Sequence, residues 1–234
     1  MPDWCNNSTT IHGDQETLTR FMEAITLNGD RSTYDLTLLF PIPEDLQIIS
    51  DFFRRDGDDD PEYQELLKKY EANKAKYGHR NWSDWCLENW GTMWMWAPSP
   101  NDHPLEVDGE ILLLSYETSW SPPSRLLQKI SELFPTLTIT NSFTQSVEVE
   151  GAAIWGCEAF HGGKEVASYG MSDGDLPEAF AERRKPLEKK AISEDHDEQY
   201  SAISELIDIG IEMKEFCVAK VYQLLESAGL PPYK

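Results

Sequence analysis

One run of carboxylates in the middle of the chain has residue types that could bind calcium. Carboxylate oxygens are preferred ligands of Ca²⁺. An EF-hand loop beginning at Asp56 would need glycine at its sixth position and glutamate at its twelfth, where the chain has Pro61 and Leu67. We therefore interpret the run as a solvated break between helices whose carboxylates face a protein partner. Its acidic residues are Asp56, Asp58, Asp59, Asp60 and Glu62.

A second acidic cluster precedes the C-terminal segment. Consecutive side chains at the start of a helix point in different directions, so they do not converge on one metal ion. Acidic residues in a first helical turn are instead stabilised by the positive end of the helix dipole. We predict no metal and no other cofactor at either cluster, and we expect this cluster also to contact a partner. Its residues are Glu194, Asp195, Asp197 and Glu198.

The histidines do not stand in a catalytic motif. None lies in a Gly-x-Ser-x-Gly or His-Glu-x-x-His context. The sequence Gly162-Gly163-Lys164 lacks the remainder of a phosphate-binding loop. We therefore predict that the protein is not an enzyme. The histidines are His12, His79, His103, His161 and His196.

The balance of charge restricts the classes of partner. The 234 residues include 42 acidic and 20 basic ones, which gives a formal net charge of −22. Nucleic-acid backbones and anionic membranes would repel such a chain, so we expect direct contact with neither. A host protein with a basic surface is the partner that this charge favours. The other interpretation is that the acidic surface only keeps the protein soluble.

Cysteine spacing and hydropathy indicate a cytoplasmic protein. Cys5, Cys86, Cys157 and Cys217 include no close pair of the kind found in zinc sites or redox dithiols. No apolar run approaches the roughly 20 residues of a membrane span. The first residues lack the basic and apolar regions of a signal peptide. We expect the protein to be located in the reducing cytoplasm of a host cell.

Tryptophans are concentrated in three segments, residues 1–7, 81–96 and 118–123. Indole rings must be largely buried with the N–H satisfied, so we expect the three segments to meet in one aromatic cluster. Within it, Trp82, Trp85 and Trp90 are expected to pack an insertion onto a sheet. The adjacent residues from 93 to 96 cannot all face inward, which makes part of this run a candidate contact surface. Its candidates are Met93, Trp94 and Trp96.

Hydrophobic periodicity predicts an α+β fold. The predicted order is strand, helix, strand, then an interruption, then strand, helix, strand, which is the split βαβ arrangement of a ferredoxin-like antiparallel sheet. The strands are predicted at 7–12, 35–40, 110–118 and 137–143, and the helices at 15–27 and after Pro122-Pro123.

The other segments are additions to this sheet. We predict a ferredoxin-like domain over 1–170, containing a helical, Trp-rich insertion at 44–108 and an added hairpin at 151–169, then a charged linker at 171–193 and a C-terminal amphipathic helix within 194–234. The apolar stripe of this long helix can pack back on its own sheet or pair with a second copy in a homodimer. The sequence leaves both arrangements open.

Three motifs in fixed order resemble a known family. They are Met1-Pro2-Asp3-Trp4-Cys5-x-Asn7, Trp90-Gly91-Thr92-x-Trp94 and Ser119-Trp120-Ser121-Pro122-Pro123. Together they resemble the YubB-type ferredoxin-like domain family of conjugative plasmids and bacteriophages, over residues 1 to about 170. The resemblance implies this fold and a mobile-element origin, but no activity and no catalytic residues. The chain departs from the pattern at Met93, where a lysine is expected.

These observations support hypotheses from different functional classes. The first is a phage- or plasmid-encoded inhibitor of a host defence or nucleic-acid-handling protein, whose carboxylates imitate DNA phosphates. The second is a small-ligand or enzymatic domain with a tryptophan pocket, and the third is an accessory protein of the mobile element. Affinity that weakens with salt would favour the first, and a thermal shift with a ligand would favour the second. The pocket would be lined by Trp4, Trp90, Trp94 and Trp120.

Overall fold

The computed structural model describes residues 3–48, 60–96, 105–146, 153–172, 174–193 and 195–230. The elements in chain order are β1 (Trp4–His12), α1 (Gln15–Ile25), β2 (Thr26–Leu27), β3 (Asp30–Tyr34), α2 (Pro61–Tyr77), α3 (Trp82–Asn89), β4 (Met95–Trp96), β5 (Val107–Asp108), β6 (Ile111–Ser119), α4 (Ser124–Leu133), β7 (Thr138–Ser146), β8 (Ala153–His161), β9 (Lys164–Ser172), α5 (Glu178–Lys190) and α6 (His196–Ser227), with 3-10 turns at Leu36–Leu39 and Glu44–Leu46.

An antiparallel sheet is the framework of the molecule. Its strand order is β4-β6-β1-β7-β8-β9, and β5 also pairs with β6. Strands β6 and β7 lie on either side of β1, both antiparallel to it, and α4 connects them. This is a split βαβ unit, so the predicted α+β, ferredoxin-like fold with an added hairpin (β8–β9) and a long C-terminal helix is confirmed.

The predicted strand over 35–40 is wrong. Leu36–Leu39 form a 3-10 turn instead. The carboxylate of Asp35 accepts hydrogen bonds from the backbone N–H of Thr37 at 2.8 Å and from its hydroxyl at 2.6 Å. Such local side-chain bonds compete with strand pairing, and here they close the turn. The outer edge of β6 is paired by the short strands β4 and β5.

The hydroxyl of Tyr34 occupies the gap between β4 and β5. Strand β5 pairs with the start of β6 and strand β4 with its end. Between them, the Tyr34 hydroxyl accepts a hydrogen bond from the Ser115 N–H at 2.9 Å and donates one to the Ser115 carbonyl. Tyr34 is buried. One side chain therefore satisfies two backbone groups that a neighbouring strand would otherwise pair.

Helices α1 and α4 cover one face of the sheet. Asp14 caps α1 by accepting the Thr17 N–H at 2.9 Å. Apolar residues recur at helical spacing on both helices and are buried against the strands. The core on this face includes Leu18, Phe21, Met22 and Ile25 of α1, Leu126, Leu127 and Ile130 of α4, and Ile11, Leu112, Leu114, Ile139 and Phe160 of the sheet.

Helix α6 covers the other face over β7, β8 and β9. Its buried stripe repeats every four residues and packs against side chains of β8 and β9. The long helix thus packs on its own sheet, and its pairing with a second copy stays a prediction. The core here consists of Ile209, Met213, Cys217, Val221 and Leu225 with Trp155, Cys157, Ala159, Ala167 and Met171.

The predicted linker at 171–193 is wrong over its central part, because Glu178–Lys190 form helix α5. Leu176, Phe180 and Leu187 pack against the α6 core, which compensates for Pro186 inside the helix.

The insertion contains α2 and α3 as predicted, and the residues just before its acidic run lie outside the described ranges. No helix in the described part of the chain is long and apolar enough to cross a membrane.

Candidate functional site

Hydrogen bonds join the two tryptophan motifs into one tryptophan junction, which comprises residues 90–94 and 119–123. The buried hydroxyl of Thr92 donates to the Ser119 carbonyl at 2.8 Å. The Trp94 N–H donates to the Ser119 hydroxyl at 3.0 Å, and the Ser119 N–H donates to the Trp94 carbonyl at 3.0 Å. The Trp120 N–H donates to the Asp3 carbonyl at 2.8 Å. The three Trp-containing segments therefore meet as predicted, and a place for Trp4 in the aromatic cluster stays a prediction.

Three indoles stack across this junction. The ring centroids of Trp82 and Trp94 are 5.7 Å apart, and those of Trp94 and Trp120 are 5.5 Å apart. Trp120 has φ of 61°, a left-handed conformation that is rare for a bulky side chain. Its side chain is 36% exposed. The junction thus holds Trp120 at the surface in a strained conformation.

The indoles of Trp90 and the neighbouring Trp85 are structural. Trp90 is buried, and its indole N–H donates to the Phe40 carbonyl at 3.0 Å. Trp85 packs edge-on against Trp90 with ring centroids 5.6 Å apart. These contacts attach α3 to the sheet core, as predicted, and they leave Trp90 unable to line an open pocket. Of the candidate contact residues, Met93 and Trp94 are half-buried, and the side chain of Trp96 lies outside the described residues.

A polar network runs through the interior beside the junction. Asn141 lies at its centre: its amide nitrogen donates to Asn7 at 3.1 Å and to Glu158 at 3.3 Å, and its oxygen accepts from Thr9 at 2.9 Å. Glu158 is buried, and burial raises its pKa to about 7, although hydrogen bonds from Ser124 and Asn141 act in the opposite sense. With the bond that the Asn7 amide donates to the Thr118 hydroxyl of β6 at 2.9 Å, the network links four strands and places a neutralisable carboxyl group in the core.

Burial also removes reactive groups from this region. All four cysteines are free and buried. Burial raises the pKa of Cys5, Cys86 and Cys157 to about 12 and that of Cys217 to about 11, so the thiolate nucleophile is scarce at neutral pH. Burial lowers the pKa of His12 to about 4. These groups have the properties of core residues.

Contacts with α5 fix the orientation of α6. The ring of Phe216 packs edge-on against Phe180 and Tyr169, with centroids 5.8 and 5.9 Å apart. The guanidinium of Arg184 lies 5.1 Å from the Trp155 ring centroid. Arg183 forms two hydrogen bonds with Glu212, at 2.5 and 2.9 Å. These contacts hold one side of α6 toward solvent in a defined orientation.

This solvent-facing side of α6 is strongly acidic and is the candidate functional site. Six exposed carboxylates lie within about 27 Å of helix length, whereas the two lysines of α6 are half-buried. A cleft of about 370 Å³ between α5 and α6 is lined by Arg183 and by three of these carboxylates, those of Glu205, Asp208 and Glu212. We call the six residues the acidic face: Asp197, Glu198, Glu205, Asp208, Glu212 and Glu215.

The predicted acidic sites divide between capping and surface roles. Asp60 caps α2 by accepting the Glu62 N–H at 3.0 Å, and Glu62 is exposed. Asp195 caps α6 by accepting the N–H groups of Asp197 and Glu198 at 3.0 and 3.2 Å. The two clusters therefore lie at the starts of two different helices. Asp56, Asp58, Asp59 and Glu194 lie outside the described residues.

The site residues predicted from sequence did not include Glu205, Asp208 and Glu212, which line the cleft. Their spacing of three and four residues places them on one side of a helix and was the available signal. Contiguous acidic runs are visible in the sequence without a helical projection, whereas this spacing is not. In the described ranges, no group of three or more histidine, cysteine, aspartate or glutamate side chains is arranged to hold a metal ion.

Comparison with protein families supports a ferredoxin-like domain and assigns it no chemical role. A family model described as "Ferredoxin-like domain in Api92-like protein" matches residues 99–187, which extend from before β5 into α5. The crystal structure of protein api92 from Yersinia pseudotuberculosis is 13% identical, with a TM-score of 0.43, and the match covers 73% of this chain and 98% of that chain. No curated protein sequence matches the chain. Residues 99–187 are therefore similar to the ferredoxin-like domain that this family model describes.

Proposed function

We propose that this protein is a non-catalytic binding protein whose acidic face occupies a basic surface of a host protein. The observation that carries the proposal is the row of six exposed carboxylates along about 27 Å of α6. Arg183 and Glu212 pair across the cleft, so the row is held on a rigid pair of helices. The formal net charge of −22 would accelerate association with a basic partner.

A nucleic-acid-handling protein is the partner class that we propose. Such proteins bind regularly spaced phosphates, which recur in each DNA strand about every 3.4 Å along the axis of the duplex. The acidic face carries a carboxylate about every 5 Å, which is a sparser imitation of that spacing. The resemblance to YubB-type domains supports a plasmid or phage origin, and hence a role as an inhibitor of a host defence protein in the host cytoplasm.

The test begins by capturing host proteins on the immobilised chain and purifying the one that is retained. Its affinity is then measured across a range of salt concentrations, with and without duplex DNA as competitor. We expect log affinity to fall linearly with log salt concentration and DNA to displace the protein. Affinity that does not change with salt would contradict the proposal.

A matched pair of variants locates the contact. The triple variant Glu205→Gln, Asp208→Asn, Glu215→Gln neutralises part of the acidic face and leaves the Arg183–Glu212 pair intact. The control Glu16→Gln, Glu23→Gln, Glu132→Gln removes the same charge from exposed residues of α1 and α4. We expect at least about a tenfold loss of affinity for the first and less for the second. Equal losses would mean that only net charge matters.

A second candidate function is ligand binding at the tryptophan stack, and the observation that favours it is the strained, outward indole of Trp120. Strained residues cluster at ligand-binding sites. The test is a thermal-shift screen of nucleotides, sugars and organic cations against the wild-type protein and Trp120→Ala. A shift of several degrees that the variant loses would support this function, and no shift would contradict it.

A further inference from the structure

A ridge of large apolar side chains lies on the outer surface of α6. Four residues at spacings of three and four are exposed by 80%, 43%, 59% and 52%. This spacing places them on one line along the helix, on a different side from the stripe that packs on the sheet. Contiguous exposed apolar surface of this kind marks interaction sites. We call these residues the outer ridge: Tyr200, Ile203, Ile207 and Ile211.

The outer ridge continues into a groove between α6 and the sheet. The groove has a volume of about 420 Å³. Ile211 belongs to both features, so the apolar track extends from Tyr200 to Tyr222, about 33 Å along the helix. That length matches a partner helix of about six turns. The groove is lined by Ile211, Val218, Ala219 and Tyr222 with Ser8, Ser142, Lys214 and Glu215.

The charged residues beside the outer ridge and its groove indicate which kind of molecule binds there. Exposed Asp197, Asp208 and Glu215 follow one edge of the outer ridge at helical spacing. The half-buried Lys214 is the basic side chain that lines the groove. An apolar strip bordered by carboxylates is complementary to an apolar strip bordered by lysine or arginine. A second copy of this chain would bring another net charge of −22 and the same acidic border.

We propose that the outer ridge and its groove bind a basic amphipathic helix of the partner protein. The apolar face of that helix lies on the outer ridge, whose residues are spaced i, i+3, i+7 and i+11 along α6. The basic flank of the partner helix lies over the carboxylate edge of the ridge. This inference rests on the proposed function and deepens it by naming the recognition element. The acidic face then increases the association rate and makes the affinity depend on salt, whereas the ridge makes binding selective for a helix.

The probes that test the inference are two synthetic peptides of about 22 residues, which is about six helical turns, composed of leucine and lysine in equal proportion. One peptide places leucine on a single helical face, and the other has the same composition in an order that spreads leucine around the helix. Fluorescence anisotropy with the full chain measures the affinity for each peptide. We expect the amphipathic peptide to bind at least about tenfold more tightly than its isomer.

Matched variants separate the ridge from the charge. Ile203→Ser with Ile207→Ser should abolish the preference for the amphipathic peptide. The control pair Ile192→Ser with Leu133→Ser removes exposed apolar residues outside the ridge, 83% and 53% exposed, and should leave the preference unchanged. The acidic-face triple variant should weaken binding of both peptides, and more strongly that of the amphipathic peptide, because Asp208 and Glu215 also border the ridge. Circular dichroism of each variant checks that α6 is intact.

Three outcomes would overturn the inference. If the ridge variant retains the preference, or if the two peptides bind equally, no helix docks on the ridge. The proposed function would survive either result so long as the acidic-face triple variant still loses affinity for the captured host protein. If sedimentation shows a dimer of the wild-type chain that the ridge variant dissociates, a second copy occupies the ridge instead.

Discussion

The tryptophan junction and the outer side of α6 both hold large apolar residues, but they differ in what surrounds them. At the junction, hydrogen bonds link Thr92, Trp94 and Ser119, and the indole of Trp90 is buried. On α6, Ile207 and Ile211 are more than half exposed and stand beside carboxylates. Saturated polar contacts and burial indicate a structural role, whereas exposed apolar groups bordered by charge indicate a binding role. The most conspicuous residues of the sequence therefore stabilise the molecule, and less conspicuous ones are the better candidates for its function.

The strongest test of this contrast is Trp90→Ala. Removing a buried indole leaves a cavity and an unsatisfied Phe40 carbonyl, so we expect a loss of about 3–5 kcal/mol in the free energy of unfolding. Urea denaturation measures it. The control is Leu87→Ala on the same helix, where the side chain is 47% exposed and the loss should stay below about 1 kcal/mol. Similar losses for both variants would contradict the structural role of the junction.

The next effect concerns pH and the buried Glu158. Its pKa is about 7 in the folded protein, above the ordinary value of 4.5, so its contribution to stability is present below pH 4.5 and is lost as pH rises through 7. The pKa of His12 shifts in the other direction, from 6.5 to about 4. Its contribution to stability is therefore present above pH 6.5 and is lost as pH falls through 4. The two therefore offset each other between pH 4.5 and 6.5.

Glu158→Gln separates these contributions, because glutamine reproduces the neutral carboxyl group. Between pH 5 and 8, we expect the stability of the variant relative to wild type to rise by about 2–3 kcal/mol. Denaturant unfolding at several pH values measures the difference, and Glu23→Gln, at an exposed position of α1, is the control. A constant difference across this range would show that Glu158 is ionised in the fold.

A smaller effect tests the strain at Trp120. Trp120→Ala and Trp120→Gly both remove the outer indole of the stack, but only glycine adopts φ of 61° without steric cost. We expect the glycine variant to be more stable than the alanine variant by about 1 kcal/mol. Thermal unfolding of the two variants gives this difference directly. An alanine variant as stable as the glycine variant would mean that the backbone relaxes.

The smallest expected effect is on the outer ridge. Ile207→Ser removes an exposed side chain and should change the free energy of unfolding by no more than about 0.5 kcal/mol. Met213→Ala, on the buried side of the same helix, should cost about 2 kcal/mol or more. Chemical denaturation of both variants compares the two sides of α6. A large loss for Ile207→Ser would show that the ridge packs within the molecule.

Much of the fold was predictable from the sequence, because long periodic segments leave little ambiguity. Helices α1, α2, α4 and α6 and the main strands follow apolar spacing that only one element type satisfies. The 35–40 segment failed because a short apolar run fits a strand or a turn equally, and the Asp35 side chain favours the turn. Helix α5 was missed because its own sequence is mainly charged and includes Pro186, and contacts with α6 stabilise it.

The candidate site was less accessible to prediction from sequence. The cluster before α6 was found, and Asp197 and Glu198 belong to the acidic face. The ridge could not be assigned, since α6 carries two apolar stripes and only its packing on β8 and β9 shows which one remains exposed. The orientation of a helix with two apolar sides depends on tertiary contacts distant in sequence.

The Tyr34 hydroxyl has a consequence for how the protein tolerates high concentration. The middle of β6 lies at an open border of the sheet, where unpaired N–H and C=O groups are a template for growth of intermolecular β-structure. Tyr34 occupies both backbone groups of Ser115 and so interrupts that template at its centre. A phenylalanine there would keep the ring but free the two groups, which would give a chain that still folds yet is more prone to form fibrils.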